Sequence, residues 1–304
     1  MRRLVFLTIA LVLTTATVHA QAPQTNERAA DLHLKLQRQL EKTVAEFDGV
    51  MGLALKDLTT GESFTVNADL VFPQASSIKI PVLLEVFRQA QAGTLKLDER
   101  VEVKRAMMAA GSGVLLHFSD GGSALSLRDL AVLMIVLSDN TATNILIDRV
   151  GMQNVNDLLA KHGLRQTRLQ RRMLDVDSQK AGRENLSTPL EMIWLLGLLH
   201  QGKVLDASHT AAAMEILKLP KSTPLRRGLP AGVESANKPG SISGVACDSG
   251  IVLLAGRPYA ISVMTTYVKA SDDAEQAIGN VSRLVYDYFE RFARSNSLGA
   301  RVPQ

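Results

Sequence analysis

The chain has 304 residues, 46% of them hydrophobic and 21% charged, which suits one soluble globular unit or two closely joined subdomains. A formal charge of +4, with basic clusters no longer than Arg168-Leu169-Gln170-Arg171-Arg172 and Arg226-Arg227, excludes a nucleic-acid footprint. The single cysteine, Cys247, excludes an internal disulfide and leaves stability to the core, with Cys247 itself read as a small buried hydrophobe.

Arg2-Arg3, the apolar run Leu4 to Leu13 and the segment Val18-His19-Ala20 form a basic, apolar and small-residue series typical of a cleaved export signal, with cleavage after Ala20. The apolar run, roughly 10 residues, is too short for a membrane anchor, which needs about 20. The expected mature protein, residues 21–304, carries a formal charge of +2, is periplasmic or secreted, and has no stable membrane anchor.

Glu27 to Phe47, with Leu32, Leu36 and Leu40 in a narrow stripe, predicts a helix. Val50 to Leu58 and Ser63 to Asn67 predict strands around the turn Thr59-Thr60-Gly61-Glu62. A helix beginning near Ser76 continues through Val82 to Ala90, and Pro81, lacking an N–H, predicts a tightened or kinked first turn. Gly111-Ser112-Gly113 reads as a flexible loop. Ser126-Leu127-Arg128-Asp129 predicts a capped, buried helix to Leu137 that delivers Ser138-Asp139-Asn140 at its tip. Those three polar groups must find partners, because unpaired burial is costly. Helices over Thr141 to Val150 and Val155 to Lys161 follow.

Arg165 to Ser187 has no period, and a structureless segment of about 20 residues inside a compact domain is functional or disordered. Thr188-Pro189-Leu190-Glu191 predicts a helix to Leu199, with Trp194 in the core, and Leu205 to Leu217 another. Ser235 to Ser241, Cys247 to Leu254 and Tyr259 to Thr266 predict strands, and Ser271-Asp272-Asp273 caps a C-terminal helix over Ala274 to Ala293. The simplest assembly is an α+β fold. It is a five-stranded antiparallel sheet flanked by the N- and C-terminal helices (residues 27–70 and 222–295), with an all-α subdomain over 71–221 inserted between strands two and three.

Two Ser-x-x-Lys patterns occur, and the predicted elements separate them. At a helix start, Ser76 and Lys79 share one face beside outward-pointing N–H groups, so a neutral lysine can deprotonate the serine and the N–H groups can meet the oxyanion. Ser235 and Lys238 fall on a strand, where a period of two points them to opposite faces. Lys238-Pro239-Gly240 instead presents a lysine to a cleft, with Gly240 permitting close approach of a ligand backbone. The histidines are scattered without metal-binding spacing, which argues against a zinc hydrolase.

Ser76-x-x-Lys79, Ser138-Asp139-Asn140 and Lys238-Pro239-Gly240, in this order, resemble the active-site motifs of class A β-lactamases and related penicillin-recognising serine enzymes. The resemblance covers most of the mature chain, including Ser138-Asp139-Asn140-Thr141-Ala142-Thr143-Asn144 and Leu229-Pro230-Ala231-Gly232. It implies the β-lactamase/transpeptidase-like fold, Ser76 as the acylated nucleophile and Lys79 as its proton acceptor. Ser138 would pass the proton to the lactam nitrogen, and Asn140 would hold Lys79 and the substrate amide. Lys238 would attract the substrate carboxylate, and the amides of Ser76 and Ser241 would form the oxyanion hole. Asp139 would be structural. The resemblance implies no cofactor or metal and a monomer acting on a small β-lactam or peptidoglycan-like substrate.

Two departures stand out. The loop glutamate that such enzymes use for deacylation aligns with Met173 or Arg172, neither a base; Asp175 is the nearest carboxylate and a candidate substitute, or else a loop ion pair with Arg171 or Arg172. Pro239 replaces a hydroxyl residue, which Ser241 or Ser243 could supply from the same strand face. The expectation is an exported serine β-lactamase. The alternatives are a penicillin-binding or DD-peptidase-like or esterase-like serine hydrolase with slow deacylation, or a non-catalytic binding domain, which would not need an intact nucleophile and base.

Overall fold

A computed structural model describes residues 27–296 and 298–302; the export signal expected over residues 1–20 lies outside the described residues. The chain opens with α1 (Glu27–Glu46), then the hairpin β1 (Val50–Asp57) and β2 (Ser63–Val66) and the short β3 (Phe72–Pro73). A 3-10 turn, Ala75–Ile78, feeds α2 (Lys79–Gln91), followed by β4 (Arg100–Glu102), β5 (Ala124–Ser126), α3 (Leu127–Val136), α4 (Asn140–Val150) and α5 (Met152–Lys161). Then come α6 (Val176–Lys180), β6 (Leu186–Ser187), α7 (Pro189–His200), α8 (Ala207–Lys218) and α9 (Pro224–Arg227). The strands β7 (Ser235–Ile242), β8 (Val245–Val252) and β9 (Tyr259–Thr266) precede α10 (Ser271–Ala293).

The main sheet has the order β2-β1-β9-β8-β7, antiparallel throughout, so the expected α+β fold is present, but the inserted region is not all-α: it holds the two-stranded ribbons β3–β6 and β4–β5. Its alternation divides two cores. Met51, Leu53 and Leu55 of β1, with Tyr259, Ile261 and Val263 of β9, pack against Leu36 and Leu40 of α1 and Ile278, Val285 and Phe289 of α10. Ala54, Ala260 and Met264 face the other way, into a larger core shared with α2, α3, α4, α7 and α8. The central strands are buried on both faces, whereas β7 is an edge, and the site is built along that edge.

Two of the expected helix caps form. Ser126 Oγ accepts the Asp129 N–H at the start of α3, and Thr188 Oγ1 accepts the Glu191 N–H at the start of α7 with Pro189 in its first turn. Pro81 behaves as its chemistry requires: the tighter 3-10 turn replaces an α-turn ahead of it, so its missing N–H falls near the start of α2.

Other expectations are corrected. Trp194 is 49% exposed, not core; α7 buries Met192, Ile193, Leu195 and Leu196, while the Trp194 indole N–H donates to the His162 carbonyl (3.0 Å) and Lys56 Nζ stands 5.3 Å from its ring centre. α10 begins at Ser271 with Ala270 at its N-cap and no side-chain cap; Asp272 and Asp273 instead lie in its first turn, where they complement the helix dipole. Gly111-Ser112-Gly113 is pinned rather than free: the Ser112 carbonyl accepts the Asn140 N–H (3.0 Å), and a Cβ on Gly113, at φ 111°, would stand 2.2 Å from Asp139 Oδ2.

The segment 165–187 is not structureless. It contains α6 and β6, and β6 pairs with β3 (Phe72 opposite Ser187, Pro73 opposite Leu186). Gln74 extends that ribbon, its N–H donating to the Asn185 carbonyl (2.8 Å) and its amide nitrogen to the Leu186 carbonyl (3.0 Å). The Glu191 carboxylate gathers the backbone N–H groups of Arg165, Gln166 and Thr167 at the start of the segment. Elements of five and two residues are too short for a hydrophobic period to mark them.

Candidate active site

Three segments converge beside the β7 edge. The first is the 3-10 turn. Ala75 adopts φ 41°, a left-handed conformation costly for any residue with a Cβ, and turns the chain into Ser76. Side chains three apart eclipse in a 3-10 turn, so half-buried Ser76 and fully buried Lys79 share a face.

The second segment is the junction of α3 and α4. Ser138 sits at φ 53° after the end of α3, a place usually held by glycine, and the turn directs its hydroxyl back into the cleft. Asp139 has the structural role expected of it. Its Oδ1 caps α4 through the Ala142 N–H (2.9 Å), and its Oδ2 accepts the N–H groups of Val114 (2.7 Å) and Leu115 (2.9 Å). Asn140 Oδ1 accepts from Lys79 Nζ (3.0 Å) while its amide donates to the Ala110 carbonyl (2.9 Å).

The third segment is β7. Lys238, 2% exposed, extends its amine to Ser138 Oγ (3.1 Å) and the Pro239 carbonyl (2.8 Å). Gly240 does permit a close approach, but of the turn that carries Ser76: a Cβ there would lie 2.7 Å from both the Ser76 nitrogen and the Gln74 carbonyl oxygen. Pro239 lacks the N–H that a ladder position donates, so it belongs on the side facing the free edge. Ser241, two residues on, is exposed at the same edge. β7 ends at Ile242, so Ser243 lies in the turn, off the strand face expected to carry it. Ser235, the other serine of a Ser-x-x-Lys pattern, is buried with Asn237 (3.0 Å) and Arg226 (3.1 Å), away from Lys238 as the strand period requires.

One oxygen joins the segments. Ser138 Oγ accepts from Lys79 Nζ at 3.0 Å and from Lys238 Nζ at 3.1 Å, and Lys79 also donates to the Ser138 carbonyl (2.7 Å). Burial pushes the Lys79 amine well below the ordinary lysine value, Lys238 pushes it further, and only Asp139 opposes. Burial likewise brings Lys238 down to about 8, against the opposing pull of Asp248 and Cys247. The depressed pKa brings the neutral amine of Lys79 within reach; a neutral amine keeps two N–H groups, so one of its three donated hydrogen bonds must give way for a lone pair to accept a proton.

Two of the loop's carboxylates, Asp175 and Glu184, are engaged within the loop itself. Asp175 caps α6, its Oδ1 accepting the Ser178 N–H (2.9 Å) and its Oδ2 the Ser178 hydroxyl (2.7 Å), and these bonds hold its pKa down. The alternative ion pair with Arg171 or Arg172 is also absent. Arg171 binds Glu184 through two nitrogens (2.7 and 3.0 Å), and Arg172 binds Asp148. Asp175→Asn retains a good cap, so the lifetime of any adduct on Ser76 should stay within about twofold of wild type; a clear lengthening, measured by intact mass, would restore the carboxylate to the chemistry. Met173 is 7% exposed, with its N–H donating to Asn144 Oδ1 (2.8 Å) and its carbonyl accepting from the Asn144 amide (3.1 Å). Asn144 had no role read for it in the sequence, although it closes the run Ser138 to Asn144.

Among the described residues no group of three or more His, Cys, Asp or Glu side chains is disposed to hold a metal ion, and no helix is long and apolar enough to cross a membrane.

Residues 35–289 match the model of the beta-lactamase enzyme family. Beta-lactamase SME-1 of Serratia marcescens is 28% identical over 257 residues, 81% of this chain and 86% of that protein. Among solved structures, PBP-A superposes with a TM-score of 0.78 at 30% identity, covering 84% of this chain and 96% of PBP-A, and a PBP-A mutant superposes equally well as an acyl-enzyme complex with penicillin G. A beta-lactamase from Sphaerobacter thermophilus DSM 20745 superposes with a TM-score of 0.75 at 33% identity, covering 84% of this chain and 96% of that one.

Proposed function

The chain belongs to the beta-lactamase enzyme family, and from that premise we propose that it is an exported serine hydrolase that opens the β-lactam amide through an acyl-enzyme on Ser76 and releases the product slowly. The observation that carries the proposal is the Lys79–Ser138–Lys238 chain, in which one hydroxyl is held by two buried amines beside the nucleophile. Lys79, neutral at the moment of attack, takes the Ser76 proton as Oγ adds to the lactam carbonyl. Ser138 carries a proton on to the lactam nitrogen as the ring C–N bond breaks. The Ser76 and Ser241 N–H groups stabilise the oxyanion, a contribution that is large in a water-poor site. Lys238 in its charged form draws the substrate carboxylate to the same end, and Asn140 holds Lys79 in place. The run Arg2 to Ala20 supports export.

Release is the slow half because Asp175 and Glu184 are committed within the loop, and neither Met173 nor Arg172, the two positions with which the loop glutamate aligns, carries a base. A second reading, a penicillin-binding peptidase directed at peptidoglycan, is favoured by that same loop and by the likeness to PBP-A.

The test is to mix the protein with a chromogenic cephalosporin and follow both hydrolysis and intact mass. A burst of one equivalent, an adduct on Ser76 and a slow steady rate are expected, and Ser76→Ala should abolish all three. A persistent adduct without steady turnover supports the second reading. Neither an adduct nor turnover would sink both.

A further inference from the structure

We infer that Ser77 and Cys247 are positioning residues of the acyl-transfer site, a buried clamp that fixes the backbone on both sides of Ser76 against β7 and thereby sets the gap between the Ser76 and Ser241 amides. The inference rests on the acyl-enzyme reading above.

Ser77 follows the nucleophile, and its side chain is fully buried. Its hydroxyl donates to the Lys238 carbonyl at 2.9 Å and touches Cys247 Sγ at 3.2 Å. Its N–H donates to the Gln74 carbonyl at 2.8 Å. Cys247, on β8 opposite Gly240, reaches that same Gln74 carbonyl at 3.2 Å and lies 3.5 Å from the Gly240 carbonyl. The clamp thus holds Gln74, two residues before the nucleophile, and Ser77, one residue after it, and ties both to Lys238 and Gly240.

Packing alone does not account for this thiol. A cysteine serving as a small hydrophobe faces carbon, but three polar oxygens lie within 3.5 Å of this sulfur: Gln74 O, Ser77 Oγ and Gly240 O. Burial raises the thiol to about 11, so it remains an S–H donor at neutral pH. The clamp also meets a local need. Ala75 lies between the two clamped residues at φ 41°, and a strained residue persists only where its surroundings over-determine it. Gly240 completes the device, since a Cβ there would stand 2.9 Å from the sulfur and 2.7 Å from the Ser76 nitrogen.

The test compares Ser77→Ala, Cys247→Ala, Cys247→Ser and the volume-matched Cys247→Val, using the full mature chain. Three quantities are measured: the acylation rate with a chromogenic cephalosporin, the concentration dependence of that rate, and the affinity for a boronic acid that forms a tetrahedral adduct on Ser76. Ser77→Ala, Cys247→Ala and Cys247→Val should each slow acylation about 10-fold and weaken the boronic acid about as much, because small misplacements of reacting groups cost rate steeply. The half-saturating cephalosporin concentration should hold within about twofold, because ground-state binding does not depend on the oxyanion donors. Cys247→Ser should recover most of the loss, since it restores a donor. If variants that melt like wild type acylate and bind the boronic acid at wild-type levels, the clamp is wrong and the acyl-enzyme reading stands. Should Cys247→Ala not fold, Cys247→Val decides, and wild-type acylation by that variant would overturn the clamp. A wild-type protein that forms no Ser76 adduct at all fails the underlying reading and the clamp with it.

Discussion

Replacing Lys79 with methionine is expected to slow acylation of Ser76 about 10³-fold, the middle of the range for loss of a positioned general base. Methionine keeps the length and packing of the aliphatic stem, so the fold should survive. It removes a buried amine whose burial is costly, which favours the folded state, but leaves Asn140 Oδ1 and the Ser138 carbonyl without their donor, which opposes it. Stopped-flow acylation by a chromogenic cephalosporin measures the effect; a drop of less than tenfold would remove Lys79 from the proton path. The wild-type pH profile tests the same group independently. Burial and Lys238 hold Lys79 well below its ordinary value, so its neutral fraction, and with it the acylation rate, grows as pH rises through that depressed pKa. Lys238 discharges at about 8, and substrate attraction fades above that point. The profile should therefore be a bell whose alkaline limb falls near pH 8, and in Lys79→Met the acid limb should vanish while the alkaline limb remains.

Met173→Glu should produce the opposite kind of change, shortening the acyl-enzyme lifetime about 10²-fold, the lower end of general-base effects. Asn144 holds the Met173 backbone at both its N–H and its carbonyl, so a glutamate of similar length would enter the same buried space. Burial would raise its carboxyl pKa, which suits a base that must gain and lose a proton near neutral pH. Single-turnover decay of the Ser76 adduct by mass spectrometry measures the gain, and Met173→Gln, equal in size and without the charge, is the control. Equal lifetimes in Met173→Glu and Met173→Gln would mean that this side chain does not reach water at the ester.

What could be read ahead of the structure follows the scale of each signal. The flanking helices and the strands β1, β7, β8 and β9 each run eight or more residues and stand within a few residues of expectation, whereas β2, with four, was marked by the turn before it. The cluster of Ser76, Lys79, Ser138, Asn140 and Lys238 was legible because each member lies in a short motif with a chemical reason for its spacing. The capping role of Asp175 was hidden for a physical reason: a carboxylate one residue before a short helix serves that helix, and a five-residue helix leaves no period to reveal it. Trp194 was misread because a helix apolar all round does not say which side faces outward. Ser77 and Cys247 were invisible as a pair, since 170 residues separate them and only the folded sheet brings them together.

The β3–β6 ribbon has a consequence for how such a protein could change. The strand that leads into the nucleophile and the strand that closes the loop around Met173 are paired, and Gln74 bonds across to both Asn185 and Leu186. On the proposed mechanism, attack and release are thus mechanically yoked. An insertion or deletion that reshaped the loop would pull on the ribbon and disturb the geometry of Ser76 along with it. Single side-chain replacements at the loop's centre leave the ribbon untouched, and they offer the open route to faster turnover.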